Sequence, residues 1–190
     1  MMKELKEKIV QRIKANFADA AEKNDFNYNR LDFTVKKETI PSILFYLKDE
    51  MGFIHLSDAN CVDWLEEGEL ELVFIVWSPK DKIKIFVRTR LDRDNPVMDN
   101  LDMIWPQLNT YEREFREMFG VQVTGLEAPD EFILEDWQGP PPFRRDFDTA
   151  AYAEKTFWER PGREDAQDVR ETIANRDGEE IPDFAKKYSR

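Results

Sequence analysis

The feature that most constrains this fold is a pair of apolar segments joined by a short polar turn. Residues 70–77 form an almost continuous run of branched and aromatic side chains, which is typical of a central strand. Residues 83–87 alternate apolar and polar side chains, which predicts a strand with one solvated face. Ser78-Pro79-Lys80-Asp81 between them has the composition of a type I turn. The two segments are therefore predicted to form an antiparallel hairpin.

Two amphipathic helices and two more strands are predicted to surround this hairpin. Apolar residues recur with helical spacing over residues 1–17 and again over residues 39–51, where Thr39 is the expected N-cap. Residues 31–35 alternate as a half-buried strand, and residues 53–65 form a less regular strand. The predicted fold class is α+β in two layers, with helices on one face of a mixed four- or five-stranded sheet and an extended C-terminal tail.

A third helix is predicted from residue 109 to Gly120, the glycine that would end it. Asn109 as N-cap and Glu112 three residues later match a capping box. One apolar stripe is expected to be buried: Tyr111, Phe115, Met118 and Phe119. Two pairs of opposite charge stand four residues apart and are predicted to be surface ion pairs: Glu112 with Arg116, and Arg113 with Glu117.

The composition changes beyond about residue 126. Gly139-Pro140-Pro141-Pro142 excludes a helix or an inner strand. Of the 32 residues from Glu159 to Arg190, half are charged and eight are hydrophobic, so burial cannot offset a backbone ordering cost of about 1–2 kcal/mol per residue. Interspersed aromatic residues favour contact with another protein. The predicted organisation is a core domain of residues 1–125 and a charged tail of residues 126–190 that wraps on partner subunits.

Net charge and residue counts exclude several function classes. A net charge of -12 makes nucleic acid an unfavourable partner, because phosphates repel the chain. Cys61 is the single cysteine, which excludes an internal disulfide and any multi-cysteine cluster site. No glycine-rich phosphate loop is present. No apolar run is long enough to span a membrane and the start does not resemble a signal peptide, so we expect a cytoplasmic chain that reaches a membrane through a partner.

Few residues could support catalysis. Cys61 would need His55, the single histidine, as its base, and no oxyanion-hole turn lies nearby, so a packed cysteine is the favoured interpretation. The acidic residues around 58–69 are more typical of a solvated loop than of two opposed, desolvated carboxylates. A free-standing enzyme that uses Asp58, Asp63 and His55 stays open as an alternative of a different class.

Five short motifs occur in a fixed order between residues 30 and 148. They are the strand elements of residues 52–58 and 62–64, then Asn95-Pro96, then Trp105 with Glu112-Arg113-Glu114, Glu117 and Phe119-Gly120, then Trp137-x-Gly139-Pro140, and finally Arg144-Arg145-Asp146. This ordered set resembles the thirty-kilodalton subunit family of respiratory complex I, which includes related subunits of membrane-bound group 4 nickel–iron hydrogenases. Where that family usually has G-H-P-D-L-R-R, this chain keeps only Pro129 and Asp130.

The resemblance implies a non-catalytic subunit in the peripheral arm of an ion-translocating NADH/quinone oxidoreductase. It implies no cofactor in this chain, with iron–sulfur clusters and FMN or a nickel–iron centre in partner subunits. The expected partners are the large hydrogenase-like subunit and a small cluster-bearing subunit, at the cytoplasmic face of a membrane. The alternative is the equivalent subunit of a ferredoxin-dependent membrane-bound hydrogenase or a formate hydrogenlyase.

The resemblance also suggests roles for two groups of signature residues. Glu112, Arg113 and Glu114 would fix the third helix or pair across an interface. Arg144 and Arg145, with Asp146, would anchor the tail on the partner through charge-assisted hydrogen bonds to a carboxylate.

Overall fold

The computed structural model describes residues 2–23, 29–127 and 131–156. The helices are α1 (Met2–Asn16), α2 (Ile40–Asp49), α3 (Leu108–Glu114) and α4 (Thr149–Thr156), and α3 continues into a π-helical turn over Phe115–Phe119. The strands are β1 (Ala21–Lys23), β2 (Arg30–Thr34), β3 (His55–Trp64), β4 (Glu69–Ser78), β5 (Ile83–Asp92), β6 (Val97–Asp99) and β7 (Gln122–Thr124). No helix among these residues is both long and apolar enough to cross a membrane.

The predicted hairpin is confirmed as β4 and β5, which pair antiparallel over their whole length. The turn is closed by the backbone N–H of Lys82, which donates to the carbonyl of Ser78 at 2.8 Å. Lys82 itself adopts a left-handed backbone with φ +56°. The Ser78 hydroxyl donates to the Asp81 carboxylate at 3.0 Å. The turn therefore extends one residue beyond the predicted four.

The hairpin forms the centre of a mixed five-stranded sheet with the order β1-β2-β5-β4-β3. The pair β2–β5 is parallel, and the other pairs are antiparallel. The short strands β6 and β7, which the sequence pattern did not predict, pair parallel in a separate two-stranded sheet. The prediction of a mixed sheet with four or five strands is thus confirmed.

Helices α1, α2 and α3 contribute to one core on a single face of the sheet. Ile13 of α1, Leu44 of α2 and Phe74 of β4 are fully buried in the same apolar cluster. Burial of such side chains is the main favourable contribution to folding. On the opposite face, Arg88 donates to Asp32 at 2.8 Å and to Glu71 at 3.2 Å. The predicted two-layer α+β arrangement is confirmed.

The contacts within the chain divide it into two units, the first ending at Phe147 and the second beginning at Asp148. The predicted division of roles between a core of residues 1–125 and a tail of residues 126–190 that wraps on partners stays a prediction. In the second unit, α4 begins after Asp148, whose carboxylate accepts the backbone N–H of Ala151 at 2.9 Å. Most of the predicted tail, residues 157–190, lies outside the described residues.

Candidate functional site

The signature motifs meet where residues 131–147, here called the clasp, lie against the π-helical turn and the end of β3. Phe143 donates its backbone N–H to the carbonyl of Met118 at 3.0 Å. Its ring makes an edge-to-face contact with Phe119, with the ring centroids 5.7 Å apart. The site is therefore a junction, here called the Arg93 junction, between the motif that ends in Phe119-Gly120 and the motif that contains Arg144-Arg145-Asp146.

A buried arginine connects the clasp to the sheet. Arg93 donates to both carboxylate oxygens of Asp63, at 2.7 and 3.0 Å, and to Asp146 at 2.6 Å. The Asp63 side chain is completely buried, and that of Arg93 is 10% exposed. The hydrogen bond from Arg93 lowers the pKa of Asp63, and the same guanidinium lowers the pKa of Asp146. All three groups stay ionised at neutral pH, which strengthens their hydrogen bonds.

The two adjacent arginines of the clasp also bond within the chain. Arg145 donates its backbone N–H to Asp63 at 2.8 Å and its guanidinium to the exposed Glu66 at 2.7 Å. Arg144 donates to the carbonyl of Phe119 at 2.8 Å. The sequence analysis expected Arg144 and Arg145 to contact a partner's carboxylate and Asp146 to help anchor the tail on that partner. The contacts described here join all three residues to their own core. Contact with a partner through their remaining donors stays a prediction.

Gly120 allows the clasp to approach closely. It adopts φ +76°, a left-handed conformation that favours glycine, and it ends the π-helical turn as predicted. A Cβ atom at this position would lie 2.9 Å from Cγ of Pro141 and 3.3 Å from the Arg144 guanidinium. The glycine is therefore required by both the backbone conformation and the packing of the clasp.

Glu117 and Arg113 hold the start of the clasp rather than each other. The Glu117 carboxylate accepts the backbone N–H groups of Phe132, Ile133 and Leu134 at 2.8–3.2 Å. Arg113 donates to the carbonyl of Glu131 at 2.9 Å, and its guanidinium lies 4.5 Å from the centroid of the Phe132 ring. The predicted Arg113–Glu117 ion pair is wrong, because both side chains turn toward the returning chain.

The aromatic and proline-rich part of the clasp is stabilised locally. The indole N–H of Trp137 donates to the carbonyl of Pro140 at 3.0 Å, across Gly139. The Trp137 and Phe147 rings pack with their centroids 5.8 Å apart. This part of the signature thus shapes the clasp itself. Pro129 and Asp130, two further predicted signature residues, lie outside the described residues.

Trp105 connects the helical side of the site to β3. Its ring is almost completely buried, and its indole N–H donates to the carbonyl of Ile54 at 3.0 Å. Gln107, which the sequence did not single out, donates to the carbonyl of Leu56 at 2.8 Å. These bonds fix the chain that leads into α3.

The capping-box prediction for Asn109 and Glu112 is wrong. The helix begins at Leu108 after Gln107, so Asn109 lies inside the first turn. Glu112 is completely buried, and its Oε1 accepts the backbone N–H of Leu101 at 2.7 Å. Its Oε2 has no hydrogen-bond partner among the described residues. The predicted Glu112–Arg116 pair therefore does not form, because the carboxyl points into the core.

Burial gives Glu112 an unusual protonation equilibrium. Desolvation raises its pKa to about 7, although the Leu101 N–H opposes this rise and the nearby Asp102 adds to it. A substantial fraction of the molecules therefore carries a neutral Glu112 near pH 7. Burial is the main cause that raises the pKa of the partly buried Cys61 and of Tyr111, and the negative charge of Glu114, the last residue of α3, adds a smaller increase to both.

His55 and Asp63, two of the residues considered for catalysis, do not meet. His55 and Asp63 lie eight residues apart on β3, about 26 Å at the usual rise of a strand. The ring of His55 packs edge-to-face on Trp77, while Asp63 is occupied by Arg93. Burial raises the pKa of the Cys61 thiol far above its usual range, which leaves it a weak nucleophile.

Among residues 2–23, 29–127 and 131–156, no group of three or more histidine, cysteine or carboxylate side chains is placed to hold a metal ion. Arg93 is the important residue that the sequence analysis missed. Its signal was weak, because five of the seven residues from Arg88 to Asp94 are charged, which is typical of a solvated strand end.

Comparison with known proteins defines the class first. The fold superimposes on a chain of the membrane-bound sulfane sulfur reductase, an archaeal respiratory membrane complex, with a TM-score of 0.69 and 33% identity, covering 82% of this chain and 96% of that chain. It also matches the trypsin-resistant fragment of Nqo5 with a TM-score of 0.56 at 21% identity, covering 65% of this chain and 98% of that one. The sulfane sulfur reductase match covers the larger share of this chain at the higher identity.

The particular family follows from the sequence matches. Residues 33–153 match the family model described as the 30 kDa subunit of respiratory-chain NADH dehydrogenase. A subunit of the NADH-quinone oxidoreductase of Rhizobium johnstonii is 34% identical over 70% of this chain and 68% of its own length. A subunit of the F420H2 dehydrogenase of Methanosarcina mazei is 29% identical over 63% of this chain and 76% of its own length. This chain belongs to the 30 kDa subunit family of respiratory-chain NADH dehydrogenase.

The buried Asp63–Arg93 pair can be tested by comparison with an exposed pair. Asp63→Ala leaves the Arg93 charge with Asp146 alone, and we expect it to lower the free energy of unfolding by on the order of 3 kcal/mol. Glu66→Ala removes the exposed partner of Arg145 and should leave stability nearly unchanged. Urea denaturation of both variants measures this difference. Equal stability of the two variants would show that the clasp does not depend on Arg93.

Gly120 and Gly52 form a matched pair, because both have left-handed backbones, with φ +76° and +75°. An added Cβ meets nothing within 4 Å at Gly52 but meets Pro141 at Gly120. Both alanine variants should lose about 1–2 kcal/mol through backbone strain. Gly120→Ala should lose a further 1–3 kcal/mol, roughly, through overpacking. Thermal unfolding gives the difference, and equal losses would contradict the close approach of the clasp.

Glu112 predicts a pH dependence of stability. Its pKa is higher in the folded chain than in the unfolded chain, so its contribution is fully present below about pH 4.5 and is lost as pH rises through about 7. The loss is on the order of 3 kcal/mol. Glu112→Gln keeps an acceptor for Leu101 and should remove this part of the pH dependence. Unfolding free energies at pH 5 and pH 8 test this, and an unchanged pH slope in the variant would be evidence against a buried neutral carboxyl.

Proposed function

We propose that this chain is a non-catalytic structural subunit in the peripheral arm of a complex-I-like, ion-translocating NADH/quinone oxidoreductase. It braces the large hydrogenase-like subunit and the neighbouring subunit that carries a cluster. The observation that carries this proposal is that the described signature residues hold the chain to itself instead of lining a reactive cavity. Family membership provides the multi-subunit setting in which such a rigid chain is useful.

The junction suits a brace because its bonds involve charged groups, are distributed over several elements, and include the buried pair Arg93–Asp63. Arg93 joins β5 to β3 and to the clasp, while Glu117 binds three successive backbone N–H groups. Charge-assisted hydrogen bonds are roughly twice as strong as neutral ones, and buried ones are less screened by salt. A surface fixed in this way keeps its neighbours at constant separation.

The chain would work as a core domain of residues 1–125 and a C-terminal extension of residues 126–190. The clasp, the first part of that extension, folds back on the core, and the following residues lie along partner subunits. Their composition favours this role, because they alternate charges with aromatic anchors. Through these partners the chain would sit at the cytoplasmic face of a membrane, and iron–sulfur clusters with FMN or a nickel–iron centre would belong to the partners.

A second candidate function is the equivalent subunit of a ferredoxin-dependent membrane-bound hydrogenase or a formate hydrogenlyase. What supports considering it is that the similarity is not confined to NADH enzymes, because a chain of the archaeal membrane-bound sulfane sulfur reductase matches 82% of this chain at 33% identity. The R. johnstonii relative covers 70% of the chain at a similar identity. Metal analysis of the complex discriminates the two, since nickel with iron indicates the hydrogenase and flavin with iron indicates the NADH enzyme.

The proposal is tested by purification of the tagged full chain from native membranes. We expect it to elute with at least two other subunits and with iron in stoichiometric amount, because the cofactors reside in those partners. Gly120→Ala should reduce the recovered complex more than Gly52→Ala, since only the former disturbs the clasp. Subunit identification by mass spectrometry and iron analysis measure the result.

Two outcomes would overturn this function. One is a chain recovered from cells as a lone monomer, and the other is an isolated chain that holds stoichiometric iron, nickel or flavin. Limited proteolysis of the isolated chain tests the extension separately. If residues 150–190 resist cleavage without any partner, the proposal that they lie on partner subunits is incorrect.

A further inference from the structure

The buried carboxyl of Glu112 is bonded to an irregular part of the chain, residues 100–104, here called the Leu101 segment. These residues lie between β6 and α3 and belong to no helix or strand. The Leu101 N–H donates to Oε1 of Glu112 at 2.7 Å, and the Leu101 side chain lines an open apolar groove of about 640 Å³. Met103 in the same segment is 94% exposed. Leu101 thus connects a completely buried carboxyl with the protein surface.

Few hydrogen bonds attach the Leu101 segment to other parts of the described chain. At one end the N–H of Asn100 donates to the carbonyl of Thr124 at 3.1 Å, and at the other end the Lys48 ammonium donates to the carbonyl of Ile104. Between these ends, the backbone N–H groups of residues 102 and 104 bond within the segment. The bond to Glu112 therefore holds the middle of the segment on α3.

The Glu112 carboxyl is bonded through one of its two oxygens. Oε2 has no hydrogen-bond partner among the described residues, so the ionised form would place a buried charge against a single donor. Such a charge is costly unless it is fully paired, and it otherwise takes up a proton or gains contact with water. The Leu101 N–H favours the ionised form, but burial outweighs it and raises the pKa of Glu112 to about 7.

The charged groups around Glu112 do not offset the cost of burying its charge. Asp102 of the Leu101 segment raises the pKa of Glu112 further, and no cation of the described chain contributes to that pKa. Charged side chains on the adjoining elements are Lys37 and Asp99, which line a small cavity with Leu101, Lys48 at the carbonyl of Ile104, Asp58 at Tyr111, and Arg113 at the carbonyl of Glu131.

We propose that Glu112 is a proton-controlled latch, which holds the Leu101 segment on α3 while protonated and releases it when the proton passes to water. In the closed form the neutral carboxyl accepts the Leu101 N–H. In the open form Leu101 moves aside and water solvates the carboxylate, which removes the cost of a buried charge. Because Leu101 lines the groove, the shape of the groove then follows the protonation state. The latch needs no partner, so it does not rest on the proposed function.

The latch operates around neutral pH. The pKa of Glu112 is about 7 in the closed form and near its model value of 4.5 once water reaches the carboxylate. The closed form is therefore favoured below pH 7, and opening becomes more frequent above it. Since each pH unit above the pKa raises the ratio of ionised to neutral carboxyl tenfold, opening at pH 8 should be about ten times as frequent as at pH 6.

Hydrogen exchange of the full chain, followed by NMR at the Leu101 amide, tests the latch. After correction for the intrinsic pH dependence of exchange, we expect Leu101 to exchange about tenfold faster at pH 8 than at pH 6. It should exchange faster than the bonded amides of the β4–β5 hairpin at both pH values. Low urea concentrations should leave the Leu101 rate unchanged, because local opening exposes little surface. Equal protection of Leu101 and the hairpin would mean that Leu101 opens only by global unfolding, which overturns the latch.

Three variants separate the latch from a merely structural role of Glu112. Glu112→Gln keeps an acceptor for Leu101 but cannot ionise, so the tenfold change with pH should disappear. Asp102→Asn removes the negative neighbour, so the latch should open at a lower pH than in the unsubstituted chain. Glu114→Gln removes a carboxylate of the same helix that does not contribute to the Glu112 pKa, so it should leave the opening pH unchanged.

Two results would contradict the proposal. One is a pH dependence of Leu101 exchange that persists in Glu112→Gln, and the other is an opening pH that Asp102→Asn does not lower. If Glu112→Gln does not fold, the comparison of Asp102→Asn with Glu114→Gln decides the question by itself.

Discussion

The ionic hydrogen bonds of Arg93 are the interaction on which the rest of the site depends. The guanidinium is nearly buried, and it binds Asp63 of β3 through two donors and Asp146 of the clasp through one. A buried charge is tolerated only when it is paired and hydrogen-bonded, so this arrangement leaves little freedom for any of the three groups. Asp63 also accepts the backbone N–H of Arg145, which fixes the end of the clasp over the sheet.

The π-helical turn after α3 provides the second support for the same segment. Glu117 binds the backbone of residues 132–134, Phe119 packs on Phe143, and Gly120 permits the approach of Pro141. Glu112, one turn earlier, points the other way and holds Leu101 inside the core. A single helix thus connects the clasp on one side to Leu101 in the core on the other. Arg113 and Glu117 bind the clasp, whereas Glu112 binds Leu101.

Membership of the 30 kDa subunit family gives these contacts a functional meaning. In the proposed function, this chain carries no redox centre and contributes through the shape and rigidity of its surface. The clasp accounts for that rigidity, because it is bound both to the sheet through Arg93 and to the π-helical turn through Glu117.

The sequence by itself determined the hairpin, the amphipathic helices and the mixed two-layer fold, because hydrophobic periodicity is a local property that sets which face of each element is buried. It also determined the family, because motifs such as Glu112-Arg113-Glu114 are recognised by their order along the chain. Their contacts in the folded structure are not needed for that recognition. Only the tertiary structure decided where the charges go. The local pattern assigned Glu112 to a helix cap and Arg113 to an ion pair with Glu117. In the structure Glu112 binds Leu101, and Arg113 binds the carbonyl of Glu131. Arg145 meets Asp63 across 82 positions of the chain. Spacing along the sequence carries no information about such a meeting, because it depends on how the completed sheet and the returning chain are placed in space.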